Sequence, residues 1–147
     1  MYFVKNLETV LKDLATVRKA YSKVFTEMFN DNTYSPNEIS ILIFLYNNPL
    51  KNTNKDLYIY LDVSKSLICR SIDSLEKKEL IDVKKDELDK RIQRISLTNK
   101  SDLIIKKISS VQKEITSSIL TNISFEEIRQ AQSTIRKILD CFNERLK

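Results

Sequence analysis

No glycine occurs anywhere in the 147 residues, and proline occurs only twice. Glycine enters left-handed backbone conformations at no steric cost and lets the backbone approach a phosphate closely. Its absence excludes glycine-rich nucleotide cradles and the glycine elbow of hydrolases. What remains favoured is a helical chain, because helix interiors tolerate glycine poorly. At this length one compact domain forms, or two interlocked lobes sharing a core, with no room for a separate catalytic domain. The chain also lacks His and Trp, which removes the usual proton shuttle and the commonest metal ligand. No enzyme, cofactor or metal site is expected.

Charge is uneven along the chain. The formal net charge is +5. Residues 1–50 balance five basic against five acidic side chains, 51–100 carry twelve against nine, and 101–147 carry eight against six. The excess begins at the middle and favours a polyanionic partner. Apolar runs such as Ile41 to Tyr46 fall far short of the roughly 18 residues of a spanning helix, and the N-terminus has no signal-peptide pattern. The expectation is a soluble, cytoplasmic protein with no membrane partner. Cys69 and Cys141 are too distant for a metal knuckle and too few for a disulfide framework. Both are expected as reduced thiols, Cys141 packed among Ile138, Phe142 and Leu146.

Periodicity places the elements. Leu7, Val10, Leu14, Val17, Tyr21, Val24 and Met28 alternate steps of three and four, a heptad seam suited to an intramolecular helix face or to a second subunit. Ser35-Pro36-Asn37-Glu38 opens a second helix with a capping box, carrying Ile39, Leu42, Ile43 and Tyr46, and Asn47-Asn48-Pro49 stops it. A short third helix runs from Thr53 or Asn54 to Leu61. Asp62-Val63-Ser64 leaves room only for a tight turn before a fourth helix, about Lys65 to Lys78, with Ser64 as N-cap and Ile68, Ile72 and Leu75 inward. Two helices joined so closely make a helix-turn-helix. The period then changes to two: Leu80 to Lys84 and Arg91 to Leu97 read as a hairpin. Thr98 caps a long helix with Ile104, Ile108, Val111, Ile115 and Ile119. Ser124-Phe125-Glu126-Glu127 caps a last one with Ile128, Ala131, Ile135, Ile138, Phe142 and Leu146.

The fold class is therefore mainly α with a small β-hairpin wing, a winged helix-turn-helix flanked by N- and C-terminal helices. A helix of this kind enters the DNA major groove while a basic hairpin reaches the neighbouring backbone or minor groove. The candidate DNA-binding residues are Ser64, Lys65, Ser66, Cys69 and Arg70 at the start of the fourth helix. On the hairpin they are Lys84, Lys85, Asp89, Lys90, Arg91 and Arg94. Asp89, two residues before Arg91, could hold the guanidinium in a fixed orientation. The bland alternatives are an ordinary solvated helix face and a charged loop whose Asp86, Glu87 and Asp89 cancel much of its charge. The aromatics Tyr21, Phe25, Phe29, Phe44, Tyr46, Tyr58 and Tyr60 read as core before cofactor box.

From Ser35 to Ser101 the sequence resembles the MarR family of winged-helix transcriptional regulators. Asp89-Lys90-Arg91 with Ile95-Ser96-Leu97-Thr98 is similar to that family's D-x-R and L-T-x-x-G signature, and Leu75-Glu76-Lys77-Lys78-Glu79-Leu80-Ile81 to its L-E-x-x-G-L-[IV] segment. Glu79 and Ser101 stand where the family has glycine. The resemblance implies a homodimer: an N-terminal dimerisation helix in 1–34, a DNA-binding lobe in 35–98, and dimerisation helices in 99–147. It implies a double-stranded, pseudo-palindromic operator with reading helices roughly 34 Å apart. It further implies a repressor, and a small apolar or phenolic effector between the lobes that favours one spacing of the reading heads.

Two alternatives belong to other classes. The winged helix could bind an acidic protein rather than DNA, through Lys65, Arg70 and Arg91. Cys69, beside Arg70, could make the chain a thiol-based redox sensor, or simply stand in for a small Ser or Thr.

Overall fold

Hydrogen bonding at the helix starts explains where four of the six helices begin. A computed structural model describes residues 2–147, with side chains from Asn6 onward. Met1, the first residue of the expected 1–34 segment, lies outside the described residues. The helices are α1 (Tyr2–Phe29), α2 (Pro36–Asn47), α3 (Asn54–Leu61), α4 (Lys65–Lys77), α5 (Asp102–Ile119) and α6 (Phe125–Arg145). Strands β1 (Ile81–Lys85) and β2 (Gln93–Leu97) pair antiparallel between α4 and α5, with Ile81 opposite Leu97 and Lys85 opposite Gln93.

Ser35 accepts from the Glu38 amide at 3.1 Å while Glu38 accepts from the Ser35 amide at 3.2 Å, the expected capping box of α2. Thr53 and Asp56 repeat it at α3, and Ser124 and Glu127 at α6. Ser64 caps α4 through the Leu67 amide at 3.3 Å. Each cap satisfies a donor that the first turn leaves without a helical partner. Pro49 disfavours helical backbone at Asn48, so α2 stops at Asn47.

Four details differ from the sequence reading. Thr98 does not cap α5: its hydroxyl donates to the Glu79 carbonyl at 2.7 Å, and a 3-10 turn over Asn99–Ser101 intervenes before Asp102. The first strand begins at Ile81, one residue late, because the Leu80 amide is taken by the Leu75 carbonyl at the end of α4. Arg91 and Ile92 belong to the hairpin tip rather than to β2. Cys141 is exposed, not packed: Phe142 and Leu146 beside it are themselves exposed and Ile138 is only half-buried.

The chain divides into two compact units, 1–112 and 113–147. In the first, Ile41 and Leu42 of α2, Leu57 of α3, Ile68 and Leu75 of α4, and Ile81 and Ile95 of the hairpin are almost wholly buried. Each such side chain contributes about 1.5–3 kcal/mol by leaving water, so the helix-turn-helix and the wing share one core. Glu38, also buried, pairs with Lys78 Nζ at 2.8 Å and ties the start of α2 to the end of α4. The seam residues Leu7, Val10, Leu14 and Val17 of α1 are exposed. In the second unit, α6 buries no residue and exposes Phe125, Ile128, Ile135, Leu139, Phe142 and Leu146. Among the described residues, no helix is long and apolar enough to cross a membrane.

Candidate nucleic-acid interface

The helical repeat of 3.6 residues puts Ile68, Ile72 and Leu75 on one face of α4. The opposite face presents Lys65, Ser66, Cys69, Arg70, Asp73 and Lys77, all exposed. Asp62 makes the sharp entry to α4 possible by taking a left-handed conformation, φ 50 and ψ 48. Asp tolerates that region better than most residues with a Cβ. Ser64 is exposed, its oxygen engaged with the Leu67 amide.

On the wing, Asp86 shapes the tip. Its Oδ2 accepts from the Leu88 amide at 3.1 Å and the Asp89 amide at 3.0 Å, and its Oδ1 accepts from Arg94 Nε at 3.0 Å. The Asp89 amide, then the Arg94 guanidinium, hold its carboxyl below the ordinary value. Asp89 accepts from the Arg91 amide at 3.0 Å, and from Nε and Nη2 at 3.1 and 3.2 Å. This two-pronged pair fixes the plane of the guanidinium and keeps the Asp89 carboxyl low against the opposing charge of Asp86. The Arg91 side chain is nevertheless 90% exposed, so most of its surface faces outward.

Between α3, α4 and the wing lies a groove of about 490 Å³ that gathers Lys65, Cys69, Lys85, Lys90 and Arg91. Ser64, Ser66 and Arg70 are exposed on or beside α4 but do not line it, and Lys84 is exposed on β1 opposite Arg94. Arg94 turns to the protein, with Nη1 donating to Asn52 Oδ1 at 3.1 Å. Sequence reasoning missed Lys55 and Tyr58, which line the groove from α3; Tyr58 carries Lys65 Nζ over its ring at 5.0 Å. Their three-residue spacing puts both on one face of a short helix. The bridge from Thr53 to Arg94, which sets α3 beside the wing, shows which way that face points. Asn54 also lines the groove, and its buried Oδ1 lacks a hydrogen-bond partner.

This is a cationic, partly aromatic channel flanked by a reading helix and a hairpin, suited to a phosphodiester backbone and its base edges. Residues 34–93 match the MarR family model. Solved structures share the fold. Transcriptional regulator PA3341 matches with a TM-score of 0.82 and 22% identity, over 90% of this chain and 97% of its own. A MarR protein from Peptoclostridium difficile matches with 0.77 and 20% identity, over 92% and 88%. Bordetella bronchiseptica BpsR, whose DNA binding is regulated by 6-hydroxynicotinic acid, matches with 0.73 and 18% identity, over 89% and 93%.

Proposed function

We propose, from the match of residues 34–93 to the MarR family model, that the chain is a non-enzymatic transcriptional repressor of that family that binds a pseudo-palindromic double-stranded operator as a homodimer. The observation that carries the reading is Arg91, exposed on the wing yet held in plane by Asp89, beside the groove that Lys65, Lys85 and Lys90 share. An arginine fixed in this way reaches a narrow groove at little further loss of side-chain freedom. Ser64, Lys65, Ser66, Cys69 and Arg70 then address the major groove, and Lys84, Lys85 and Lys90 the backbone.

Residues 1–34 and 99–147 supply the dimer contacts, and 35–98 the reading head. Supporting this division are the exposed apolar residues of α1 and of α6, an amount of uncovered surface that a second copy would bury. The same reading assigns an effector to a cavity of about 500 Å³ lined by Tyr21 and Phe25 of α1, Phe44 of α2 and Tyr60 of α3, with Arg18 at its wall. With four aromatic rings, aliphatic Ile39 and Ile43, and one cation, it suits a small apolar or phenolic molecule. The protein acts in the cytoplasm.

Fluorescence anisotropy tests the proposal, using a duplex from upstream of the chain's own gene, a scrambled duplex and two salt concentrations. Preferential binding to the native duplex is expected, with a log-log salt slope of roughly −0.9 per phosphate neutralised. Arg91→Ala and Arg70→Ala should each weaken it by about tenfold while leaving the dimer intact. Unchanged affinity in both variants would overturn the assigned face. Equal, weak binding to both duplexes would leave only non-specific charge.

A further inference from the structure

The wing is joined to the helix-turn-helix by more than its own strands. The Ile95 amide donates to the Asn52 carbonyl at 2.8 Å, and Thr53 bridges Arg94. Asn52 directly precedes Thr53, the cap of α3, so this point of the wing is fixed to the first helix of the motif. The Arg94 side chain spans outward from it, donating Nη1 to Asn52 Oδ1 at 3.1 Å and Nε to Asp86 Oδ1 at 3.0 Å. Asp86 holds the amides of Leu88 and Asp89, and Asp89 holds Arg91. One unbroken run of hydrogen bonds thus leads from Asn52 through Arg94, Asp86 and Asp89 to the Arg91 guanidinium.

The tip between the strands contains neither glycine nor proline, so its turns are made by aspartate side chains, Asp86 on the Leu88 amide and Asp89 on the Arg91 amide. Its shape rests on the two amides that Asp86 accepts, and Asp86 is held in turn by Arg94. Asp86 is the least exposed charged member of the run, its side chain 18% exposed, and Arg91 at the end is the most exposed, at 90%. An arginine whose Nε and Nη1 are both engaged inside the protein, one of them by a carboxylate, offers little to a phosphate. We propose that Arg94 and Asp86 are positioning residues that set the wing tip, and with it Arg91, at a defined place relative to α3 and α4, and that Arg94 itself touches no DNA. The inference rests on the DNA-binding reading and gives Arg94 a different part in it.

A double-mutant cycle tests the coupling to Arg91. Asp86→Asn should weaken operator binding about tenfold in the wild-type background and less than twofold once Arg91→Ala is present. Losses that simply multiply would overturn the proposal. Arg94→Lys keeps the charge but not the fork, so a phosphate contact would survive and a positioning role would not. About fivefold weaker binding is expected, and full affinity would overturn the assignment. A measurement without DNA separates this inference from the reading beneath it. The ¹⁵N relaxation of Arg91 Nε should report an ordered side chain in the wild type and a mobile one in Asp86→Asn and in Arg94→Lys. Unchanged order in both variants overturns the proposal even if affinity falls. If the wild type bound no duplex, the DNA-binding reading would fail, and Nε relaxation would still decide whether the run of bonds positions Arg91.

Discussion

Glu79 occupies a corner where a glycine would sit without strain. Its φ is 59, and the end of α4 closes around it with its own amide donating to the Glu76 carbonyl and the Leu80 amide to the Leu75 carbonyl, the paired bonds of a Schellman cap. The side chain is put to use: Lys100 Nζ lies 2.6 Å from its carboxylate, and Thr98 donates to its carbonyl, so the corner ties α4 to the entry of α5. The exposed ion pair returns little in water, while the left-handed backbone is costly to any residue with a Cβ. Glu79→Gly should therefore raise Tm by about 3 °C and Glu79→Ala lower it slightly, as followed by circular dichroism. The substitution for the family glycine is visible in the sequence, as is the Asp89–Arg91 pair, because its partners lie two residues apart. The contacts of Arg94 with Asp86 and Asn52 are not visible there, since they depend on strand register and on a bridge across 42 residues.

At the level of elements, the Glu38–Lys78 pair does what neither helix does alone. A single carboxylate oxygen of Glu38, Oε2, accepts from both the Ser35 amide at the start of α2 and Lys78 Nζ, while Lys78 also donates to the Thr33 carbonyl at 2.5 Å and lies over the Tyr34 ring at 4.9 Å. Lys78→Met leaves Glu38 buried without its cation, and we expect a loss of about 2 kcal/mol in urea unfolding. Ser35→Ala, which removes only the cap, should cost about 1 kcal/mol by the same assay. Helix starts were legible because a cap and its partner lie within one turn, and the burial of Ile68, Ile72 and Leu75 because their spacing matches the helix repeat. Thr98 misled for the opposite reason: its hydroxyl finds an acceptor 19 residues back, at Glu79, before it can serve the helix ahead. The burial of Ile104, Ile108, Val111 and Ile115 followed the stripe, whereas Ile119 at its end is exposed.

For the whole molecule, acid and concentration are the informative variables. Asp31, Glu79, Asp86, Asp89 and Glu127 all sit below their ordinary values of 3.8 for Asp and 4.5 for Glu. The leading cause in each is a hydrogen bond to the ionised form, from Thr33, Lys100, the Asp89 amide, Arg91 and the Ser124 amide respectively. Under acid the unfolded chain takes up these protons first. Their contribution is therefore complete above the unfolded values and disappears as the pH falls through the lowered ones. With no histidine in the chain, Tm should be flat from about pH 5.5 to 7.5 and fall below about pH 4.5. If a second copy covers the exposed apolar face of α6, Tm also rises with protein concentration, and Ile135→Asp with Phe142→Asp sediments as a monomer that binds the operator weakly. The three left-handed corners among the described residues, at Asn30, Asp62 and Glu79, have a further consequence that concerns the unfolded chain. Every residue of a glycine-free chain carries a side chain that narrows the backbone states open to it when disordered, so less conformational entropy is surrendered on folding. At those three corners the balance reverses, and the constraint that favours order elsewhere is borne by the native state as strain.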